Sequence, residues 1–492
     1  MMGRRLLFRV SDLIFIAVFV GCLLIGSRML NTDGDLGRHL ALGTYMLNTR
    51  NVPLNDVLSF TRSGAPRPPY EWLAQIGLAG VNRLLGLDGV VLLTALVIAA
   101  AFLVVCSDAL SRSRSPVIAV LISAWAAVAS SLHWLTRPHI FSFLFFALWV
   151  ASLERLRTKQ RIPLWALPAL MLVWANTHGG FVLGFLAWAA YVLGSWLERS
   201  RHHGTSSDGR RQLLLVGGAS LVASAITPDL WHNWEAVLQN RSAYVLSHTA
   251  ETMMPDFSLP GTWPFIGMLS LGLVGIALNF KILIPAHVLL LVGLAILGAA
   301  MARNIPLFAI AAGPILSDWF GGALTSRRRW ARLEAAVWKI EVGLAGFVWP
   351  ALVVFGALAW FSYQSVERHR QAYQFSPGIF PVKAVDWLQT HPVQGNLFND
   401  FNWGGYVLYR LWPNQQVFID SQSDFYGEAL TREYEDLMSA EGDWRAALER
   451  YEIRSVLVPP SSVLAERLQV DAAWQPLFGD QTAVIFARVS AP

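Results

Sequence analysis

The strongest constraint on this chain is a succession of apolar runs, each about as long as a lipid bilayer is thick. A hydrocarbon core of about 30 Å is crossed by roughly 20 apolar residues in a helix. Eleven runs meet or approach that length: 12–30, 88–107, 115–135, 139–153, 162–177, 180–197, 212–228, 262–279, 282–301, 304–320 and 337–362. Only 14% of the residues are charged, against about 25% in soluble proteins, which excludes a set of soluble domains. The 21 Trp and 38 Gly fit a polytopic α-helical membrane protein, because Trp gathers at membrane interfaces and Gly is common in transmembrane helices. The run 71–87 is interrupted by Asn82 and Arg83 and reads as an interfacial or re-entrant helix rather than a twelfth span.

The net charge of +5 divides unevenly, since residues 363–492 hold 10 Lys+Arg against 16 Asp+Glu. Basic residues before that point cluster in alternate loops, so membrane orientation explains them and nucleic acid does not. Nineteen of them fall at the N-terminus and in the loops around 112–114, 155–161, 199–211, 281 and 327–339, whereas the opposite loops carry eight. By the positive-inside rule the N-terminus is cytoplasmic and the C-terminal part extracytoplasmic, as in a multi-pass protein of the bacterial inner (plasma) membrane. The segment MMGRRLLFR and the run after it show no small-residue cleavage site and read as an uncleaved anchor. Cys22 and Cys106 both lie in apolar runs, which leaves no disulfide framework and no Cys metal site.

Two domains follow: a transmembrane domain, 1–362, with a first external loop at 31–75, and a small extracytoplasmic α/β domain, 363–492. In the second, GNLFND (395–400), QQVFID (415–420) and RSVLVP (454–459) read as short buried strands, with helices around 403–411, 427–438 and 443–451 and a hairpin at 474–489. Asp400, Asp420 and Asp424 then lie at or beyond strand ends, where open parallel sheets place ligands and where turns also favour Asp.

With that orientation the unusual polar residues collect on the external side. Asp33, Asp35, Arg38, His39, Asp56 and Glu71 lie in the first external segment, and Arg137, His139, His178, His232, Glu235 and Arg303 lie at later external turns. Ionisable groups near membrane depth are costly and tend to mark function. Asp33 and Asp35 precede an amphipathic run (Leu36, Leu40, Tyr45, Met46); they either cap that helix, or one serves as a general base or metal ligand. Arg137 and Arg303 either snorkel to lipid phosphate or hold the phosphate of a lipid-linked substrate. His178 either satisfies its turn or faces a cleft. Trp231, Trp234, Tyr244 and Phe257, beside His232 and Glu235, suit either interfacial anchoring or stacking on sugars. We expect Asp33, Asp35, Arg137, His139, His178 and Arg303 to line one cleft at the external membrane boundary.

The motifs TDGDLGRHLALGTYML, VPLNDVLSFTRSG, EWLAQI, TRPHIFSF, WANTHGGFVLG, ARNIPLFAIAAGPIL and NDFNWGGYVLYRLWP...VFIDSQSDFYG resemble those of the polytopic glycosyltransferases of the C-type fold (GT-C). That superfamily includes protein O-mannosyltransferases, lipid A aminoarabinose transferases and their bacterial relatives. The resemblance implies an inverting transfer from a polyprenyl-phosphate-linked sugar to a glycan, lipid or protein acceptor. An acidic residue of the first external loop would act as base: Asp33 or Asp35, with Glu71 a third candidate. Arg38, His39, Arg137, His139, His178, His232 and Arg303 are then the candidate substrate-binding residues. No organic cofactor is implied; a divalent metal held by Asp33 and Asp35 is an option. Relatives carry aromatics where this chain has Gly37 and Arg38. Independently of the resemblance, a glycosyl donor outside the cytoplasm must be lipid-bound, and its leaving group is a phosphate. Two further classes compete: an O-antigen ligase or polymerase, and a non-catalytic flippase or scaffold of envelope glycan assembly.

Overall fold

The computed structural model describes residues 9–160, 162–198, 207–238, 242, 244, 252–280, 282–321, 328–343, 348–366 and 371–489. Of the basic loop residues, Arg4, Arg5, Arg161, Arg199, Arg201, Arg241, Lys281 and Arg327 lie outside the described residues. The described chain runs α1 (Val10–Leu24), α2 (Gly26–Asn31), α3 (Asp35–Thr49), α4 (Trp72–Ser113), α5 (Pro116–Ser130), α6 (His139–Arg157), α7 (Ala166–Ala175), α8 (Phe181–Leu197), α9 (Ser207–Ser224) and α10 (His232–Leu238). It continues through α11 (Trp263–Asn279), α12 (Pro285–Ala300), α13 (Ile305–Phe320), α14 (Arg328–Gly343), α15 (Val348–Val366) and α16 (Val382–Thr390). The last part is β1 (Asn396–Asn399), α17 (Gly404–Leu411), α18 (Ser423–Met438), α19 (Trp444–Arg450), β2 (Ile453–Val458), α20 (Val463–Val470), β3 (Trp474–Gly479) and β4 (Val484–Arg488).

The fold is mostly helical with a small C-terminal sheet, as expected. Among the described residues, Trp72–Ser113, Pro116–His133, His139–Arg157 and Pro260–Asn279 are long and apolar enough to cross a membrane. Val10–Leu24, Ala166–Ala175, Phe181–Leu197 and Pro285–Ala300 are shorter apolar helices. Within α4, Gly86 adopts φ 64°, ψ −155° and interrupts the helix, a conformation that costs any other residue. The run 71–87 is therefore a helical stretch distinct from the apolar run that follows it.

The chain divides into two compact units, one made of Met1–Ile25, Val91–Val237 and Ala250–Arg370, the other of Gly26–Val90, Leu238–Thr249 and Gln371–Pro492. The first is a helix bundle centred on α13, which is buried on every side from Ile305 to Ser317. α5 packs on it through alanines, Ala119 and Ala126 being fully buried, and small residues of this kind let membrane helices approach closely. At one end of the bundle Glu154 ties four helices together. It receives Arg157 of its own helix at 2.6 Å, Tyr191 of α8 at 3.0 Å, His287 of α12 at 2.8 Å and Arg112 of α4 at 3.4 Å. Arg112 is itself paired with Asp108 at 2.5 Å. Leu121, Val128, Leu193, Leu273 and Leu278 stay exposed, as residues facing lipid tails do.

The second unit is built on a four-stranded mixed sheet of order β1-β2-β4-β3, with β1 parallel to β2 and the other pairs antiparallel. The antiparallel β3–β4 pair is the hairpin expected at 474–489. The expected strand at 415–420 contracts to isolated parallel bridges at Val417, with Leu397 on one side and Ser59 on the other. The reason is local: Asn399 uses its side-chain amide to accept from Phe418 N–H at 2.9 Å and to donate to the Ile419 carbonyl at 2.8 Å. A side chain thus takes the place of the ladder. Residues 58–60 of the first external segment extend the sheet beyond Val417, with Val417 N–H on the Leu58 carbonyl and Phe60 N–H on the Val417 carbonyl, each at 3.2 Å. Phe60 packs against the core of Phe398, Phe418, Tyr434, Trp444, Val456 and Phe486. Asp88 accepts the N–H groups of Ala372 and Tyr373, and Asn31 bonds Gln374 and Ser376, so residues 26–90 and the C-terminal segment form one folded body.

Candidate active site

In the second unit, α3 carries the expected acidic segment. Asp33 Oδ1 accepts the N–H of Asp35 at 3.1 Å, satisfying a donor that the first helical turn leaves unpaired; Asp33 stays half-buried. Asp35 is buried, and its Oδ1 accepts the Ser421 hydroxyl at 2.5 Å and faces Arg38 at 3.2 Å. His39, one residue on, has Nε2 at 3.4 Å from the Arg38 guanidinium and Nδ1 at 3.2 Å from Gln75 Nε2. Glu71 Oε2 is 3.7 Å from His39 Nδ1. The structure therefore brings Asp33, Asp35, Arg38, His39 and Glu71 into one network.

The centre of that network is Asp420, which is fully buried. It faces Arg38 Nε at 3.5 Å and Arg67 at 3.7 Å, and accepts the Tyr426 hydroxyl at 3.0 Å and the Gln422 N–H at 2.9 Å. Arg67 is shared further, with Asp56 at 2.5 Å and Gln422 Oε1 at 2.5 Å, and its guanidinium lies 4.4 Å from the Phe425 ring centroid. Burial works against the charge of Arg38, but Asp35, Asp420 and Glu71 more than offset it and raise its pKa. Burial, then Asp420, holds the Tyr426 hydroxyl well above the ordinary tyrosine range, so it stays a donor. Five carboxyl groups, those of Asp33, Asp35, Asp56, Glu71 and Asp420, and two guanidiniums, those of Arg38 and Arg67, make up this network.

Glycines make this approach possible. A Cβ on Gly37 would strike the Gly405 carbonyl, one on Gly34 the Asn402 carbonyl, and one on Gly405 the Gly34 carbonyl. α3 and α17 thus meet backbone to backbone, which only glycine allows. Gly37 is thus required by the contact with Gly405, and Arg38 is a partner of Asp420.

Arg38, Arg67, Tyr70, Glu71, Gln75 and Gln422, with Leu42, Met46 and prolines 53, 68 and 69, line a narrow cleft. Glu71 is the carboxylate among those lining groups. In the Asp33–Asp35 pair, Oδ1 of each accepts a protein donor, and Arg38 lies beside Asp35. Among the described residues no group of three His, Cys, Asp or Glu is arranged to hold a metal ion.

The other expected site residues lie in the helical unit. His139 opens α6 with Nε2 at 2.9 Å from the His133 carbonyl, so Nε2 donates and Nδ1 is the acceptor of the neutral ring. That Nδ1 is buried without a hydrogen-bond partner among the described residues. The His139 ring centroid lies 4.5 Å from that of His133 and 6.4 Å from that of His178. Trp174 donates to Ser142 Oγ, which in turn meets His178 Nδ1 at 2.8 Å, and Gly180 N–H reaches the same nitrogen at 3.0 Å. His178 Nδ1 is therefore an acceptor, and the proton sits on Nε2. Arg137 lies just before α6 and Arg303 just before α13, both half-buried. His232 is exposed and bonds Asp229, next to the Trp231 ring. His139 and His178 are brought together; Asp33 and Asp35 belong to the other unit.

Arg67, Gln75, Ser421, Gln422 and Tyr426 were missed as site residues. The available signals were Arg67 among prolines in APRPPYEW and the polar run DSQSDFYG after the Val417 segment.

No protein-family model matches the chain, and no curated protein matches it by sequence. Its fold is nevertheless shared with membrane glycosyltransferases. The apo oligosaccharyltransferase from Archaeoglobus fulgidus superposes with a TM-score of 0.57 at 11% identity, over 90% of this chain and 69% of that one. The same organism's AglB, in complex with an inhibitory peptide and a dolichol-phosphate, gives a TM-score of 0.56 at 12% identity over the same shares. ArnT from Cupriavidus metallidurans, bound to undecaprenyl phosphate, gives 0.50 at 14% identity over 97% of this chain and 98% of that one. The chain therefore shares the fold of these solved membrane proteins, as the motif resemblance led us to expect.

Proposed function

We propose that the protein is an inverting glycosyltransferase that moves a sugar from a polyprenyl-phosphate donor to an acceptor on the extracytoplasmic face. Asp33 is the base: it is the half-buried carboxylate of the pair, whereas Asp35 is buried and committed to Ser421 and Arg38 as a positioning residue. Asp33 takes the proton of the acceptor hydroxyl, the oxygen attacks the anomeric carbon from the face opposite the phosphate, and the carbon–phosphate oxygen bond breaks with inversion. Arg137, Arg303 and the Nε2–H of His178 stabilise the departing phosphate, since charge-assisted donors act most strongly where charge develops. His139 Nδ1 offers an acceptor to a donor hydroxyl, and His232 contacts the substrate sugar near Trp231. The domain division at 362, eleven spans, a cytoplasmic N-terminus, an extracytoplasmic C-terminal domain and an inner-membrane location belong to the same proposal.

The observation that carries this reading is the rigid seating of the Asp33–Asp35 segment by Ser421, Asp420 and the glycines of α3 and α17. It is supported by a fold shared with proteins that were captured with dolichol-phosphate and undecaprenyl phosphate. A second reading, favoured by the cleft lining, makes Glu71 the base with His39 behind it.

The test uses purified protein with several polyprenyl-phosphate sugars, reading donor binding and transfer separately. Asp33→Asn is expected to cut transfer about 10²- to 10⁴-fold, the usual worth of a general base, with donor binding retained. Full transfer by Asp33→Asn together with loss in Glu71→Gln selects the second reading. Absence of donor binding by the unaltered protein turns the assignment to a flippase or scaffold, and processive chain growth turns it to a ligase or polymerase. Reporter fusions at Ser206 and Ser376 should read cytoplasmic and external; the same side for both would overturn the topology.

A further inference from the structure

In the second unit His39 stands between groups that use its ring from opposite sides. It is 1% exposed, with Nε2 at 3.4 Å from Arg38 Nη2, and Nδ1 at 3.2 Å from the Gln75 amide nitrogen and 3.7 Å from Glu71 Oε2. The backbone fixes this arrangement. His39 and Gly43 lie one turn apart on one face of α3, since residues four apart share a helix face. Glu71 and Gln75 do the same at the start of α4, where the Gln75 N–H bonds the Glu71 carbonyl at 3.0 Å. A Cβ on Gly43 would strike the Gln75 carbonyl, so the two faces meet backbone to backbone at that level and hold His39 against Gln75 and Glu71.

The two sides of the ring demand opposite chemistry. A guanidinium has N–H donors and no acceptor, so the Nε2 that faces Arg38 is the lone-pair nitrogen. The ring proton then sits on Nδ1 and is directed at Gln75 and Glu71. An amide can turn over and exchange its oxygen for its nitrogen at one position; a guanidinium cannot. Gln75 therefore meets the ring with its oxygen, which leaves its NH2 group for the cleft that Gln75 and Glu71 line together with Tyr70 and Gln422. Glu71 offers an acceptor there and Gln75 a donor, one turn apart. Hydroxyl groups, each both donor and acceptor, match that pair.

We propose that His39 is a positioning residue: locked by Arg38 as its Nδ1–H tautomer, it sets Gln75 and Glu71 in the cleft wall, where they take hydroxyl groups of a sugar-type acceptor. Arg38 is itself held by Asp35 and Asp420, so the ring takes its orientation from the same buried pairs that seat the Asp33–Asp35 segment. The acceptor role rests on the proposed glycosyl transfer and names its acceptor class as polyhydroxylated. The tautomer stands without it.

Nitrogen NMR of the full chain labelled at histidine reads the tautomer, the His39 signals being those lost in His39→Asn. Nδ1 should carry the proton and Nε2 should not, and Glu71→Gln should shift the Nδ1 signal. Transfer is read from the same polyprenyl-phosphate sugars to octyl glucoside at rising concentration, beside donor binding and melting temperature. Gln places its amide where Nε2 was and still accepts from Arg38, whereas Asn places its amide where Nδ1 was and still donates to Gln75 and Glu71. Misplacing a group by about 1 Å costs up to about 10²-fold in rate, so His39→Gln should lower transfer at limiting acceptor by about 10- to 100-fold, with donor binding retained. His39→Asn should recover most of that loss even though it gives up the Arg38 contact. A proton on Nε2, equal transfer in the two variants, transfer that simply follows melting temperature, or transfer to a serine peptide but not to octyl glucoside would each overturn the proposal. Where His39→Asn fails to fold, the signal moved by Glu71→Gln identifies the ring and the tautomer decides. Absence of any transfer by the unaltered protein defeats the glycosyl-transfer reading and the acceptor role with it, whereas an Nε2 proton in a protein that transfers sugar defeats the positioning role alone.

Discussion

Ser421 donates its hydroxyl to Asp35 Oδ1 at 2.5 Å, across 386 residues of sequence. This bond, with the Arg38 contact at 3.2 Å, makes Asp35 a fixed strut beside the more accessible Asp33. Ser421→Ala should remove a charge-assisted hydrogen bond worth about 1.5–3 kcal/mol and loosen α3, lowering the melting temperature. Transfer should fall less than in Asp33→Asn. Parallel melting and transfer measurements on the two variants check the ranking, and a larger transfer loss in Ser421→Ala would contradict it.

Gly37→Ala gives a test in which two effects have opposite signs. Helix propensity alone favours Ala over Gly by about 1 kcal/mol. The clash of the new Cβ with the Gly405 carbonyl is overpacking, typically costing about 1–3 kcal/mol. Thermal unfolding should therefore show net destabilisation in Gly37→Ala. Gly77→Ala, where a Cβ meets nothing within 4 Å, should be neutral or stabilising.

Asp420 is the counter-charge to two buried guanidiniums, Arg38 and Arg67. Asp420→Ala leaves both without it, and breaking a buried ion pair from one side costs about 3–5 kcal/mol. Protein yield and melting temperature should drop sharply. Because Asp56 also pairs with Arg67, a double-mutant cycle of Asp420→Asn and Asp56→Asn should be non-additive; simple additivity would place the two carboxylates in separate networks.

In the helical unit Glu154 receives Arg157, His287, Tyr191 and Arg112. Glu154→Ala should destabilise by about 3–5 kcal/mol for the same reason, whereas Glu428→Ala should change stability little. Glu428 belongs to an exposed i,i+4 pair with Arg432, and solvent-screened pairs of this kind contribute little. Melting curves of the two variants in one detergent decide this.

Asp400, just past β1, accepts the Asn402 N–H at 2.8 Å. Burial raises its pKa above the ordinary aspartate value. A raised folded-state pKa favours the protonated form, so its contribution to stability is present below the ordinary value and is lost as pH rises through the folded value. Asp400→Asn cannot titrate. Its melting temperature relative to the unaltered protein should therefore rise from acidic to neutral pH. A difference independent of pH would mean that Asp400 titrates normally.

Much of this architecture was legible in the sequence because it is written in local periodicity. The apolar runs at 115–135, 139–153 and 262–279 contain or overlap long apolar helices, and GNLFND, RSVLVP and the 474–489 hairpin became β1, β2 and the β3–β4 pair, since hydrophobic period and turn residues act within a few neighbours. The motif resemblance pointed to the shared fold beyond that, which solved structures show at only 11–14% identity. What only the tertiary structure decided is which distant segments meet. Nothing in the alternation of QQVFID says that Asn399 will take over its ladder bonds, or that residues 58–60 will pair with Val417. Nor does DGDLGRH say that Gly37 will lie on Gly405 and Arg38 on Asp420. Side-chain period sets which face of an element is buried, but many buried faces are compatible with one another. The choice among them is made by backbone closeness at glycines and by the requirement that every buried charge find its counter-charge.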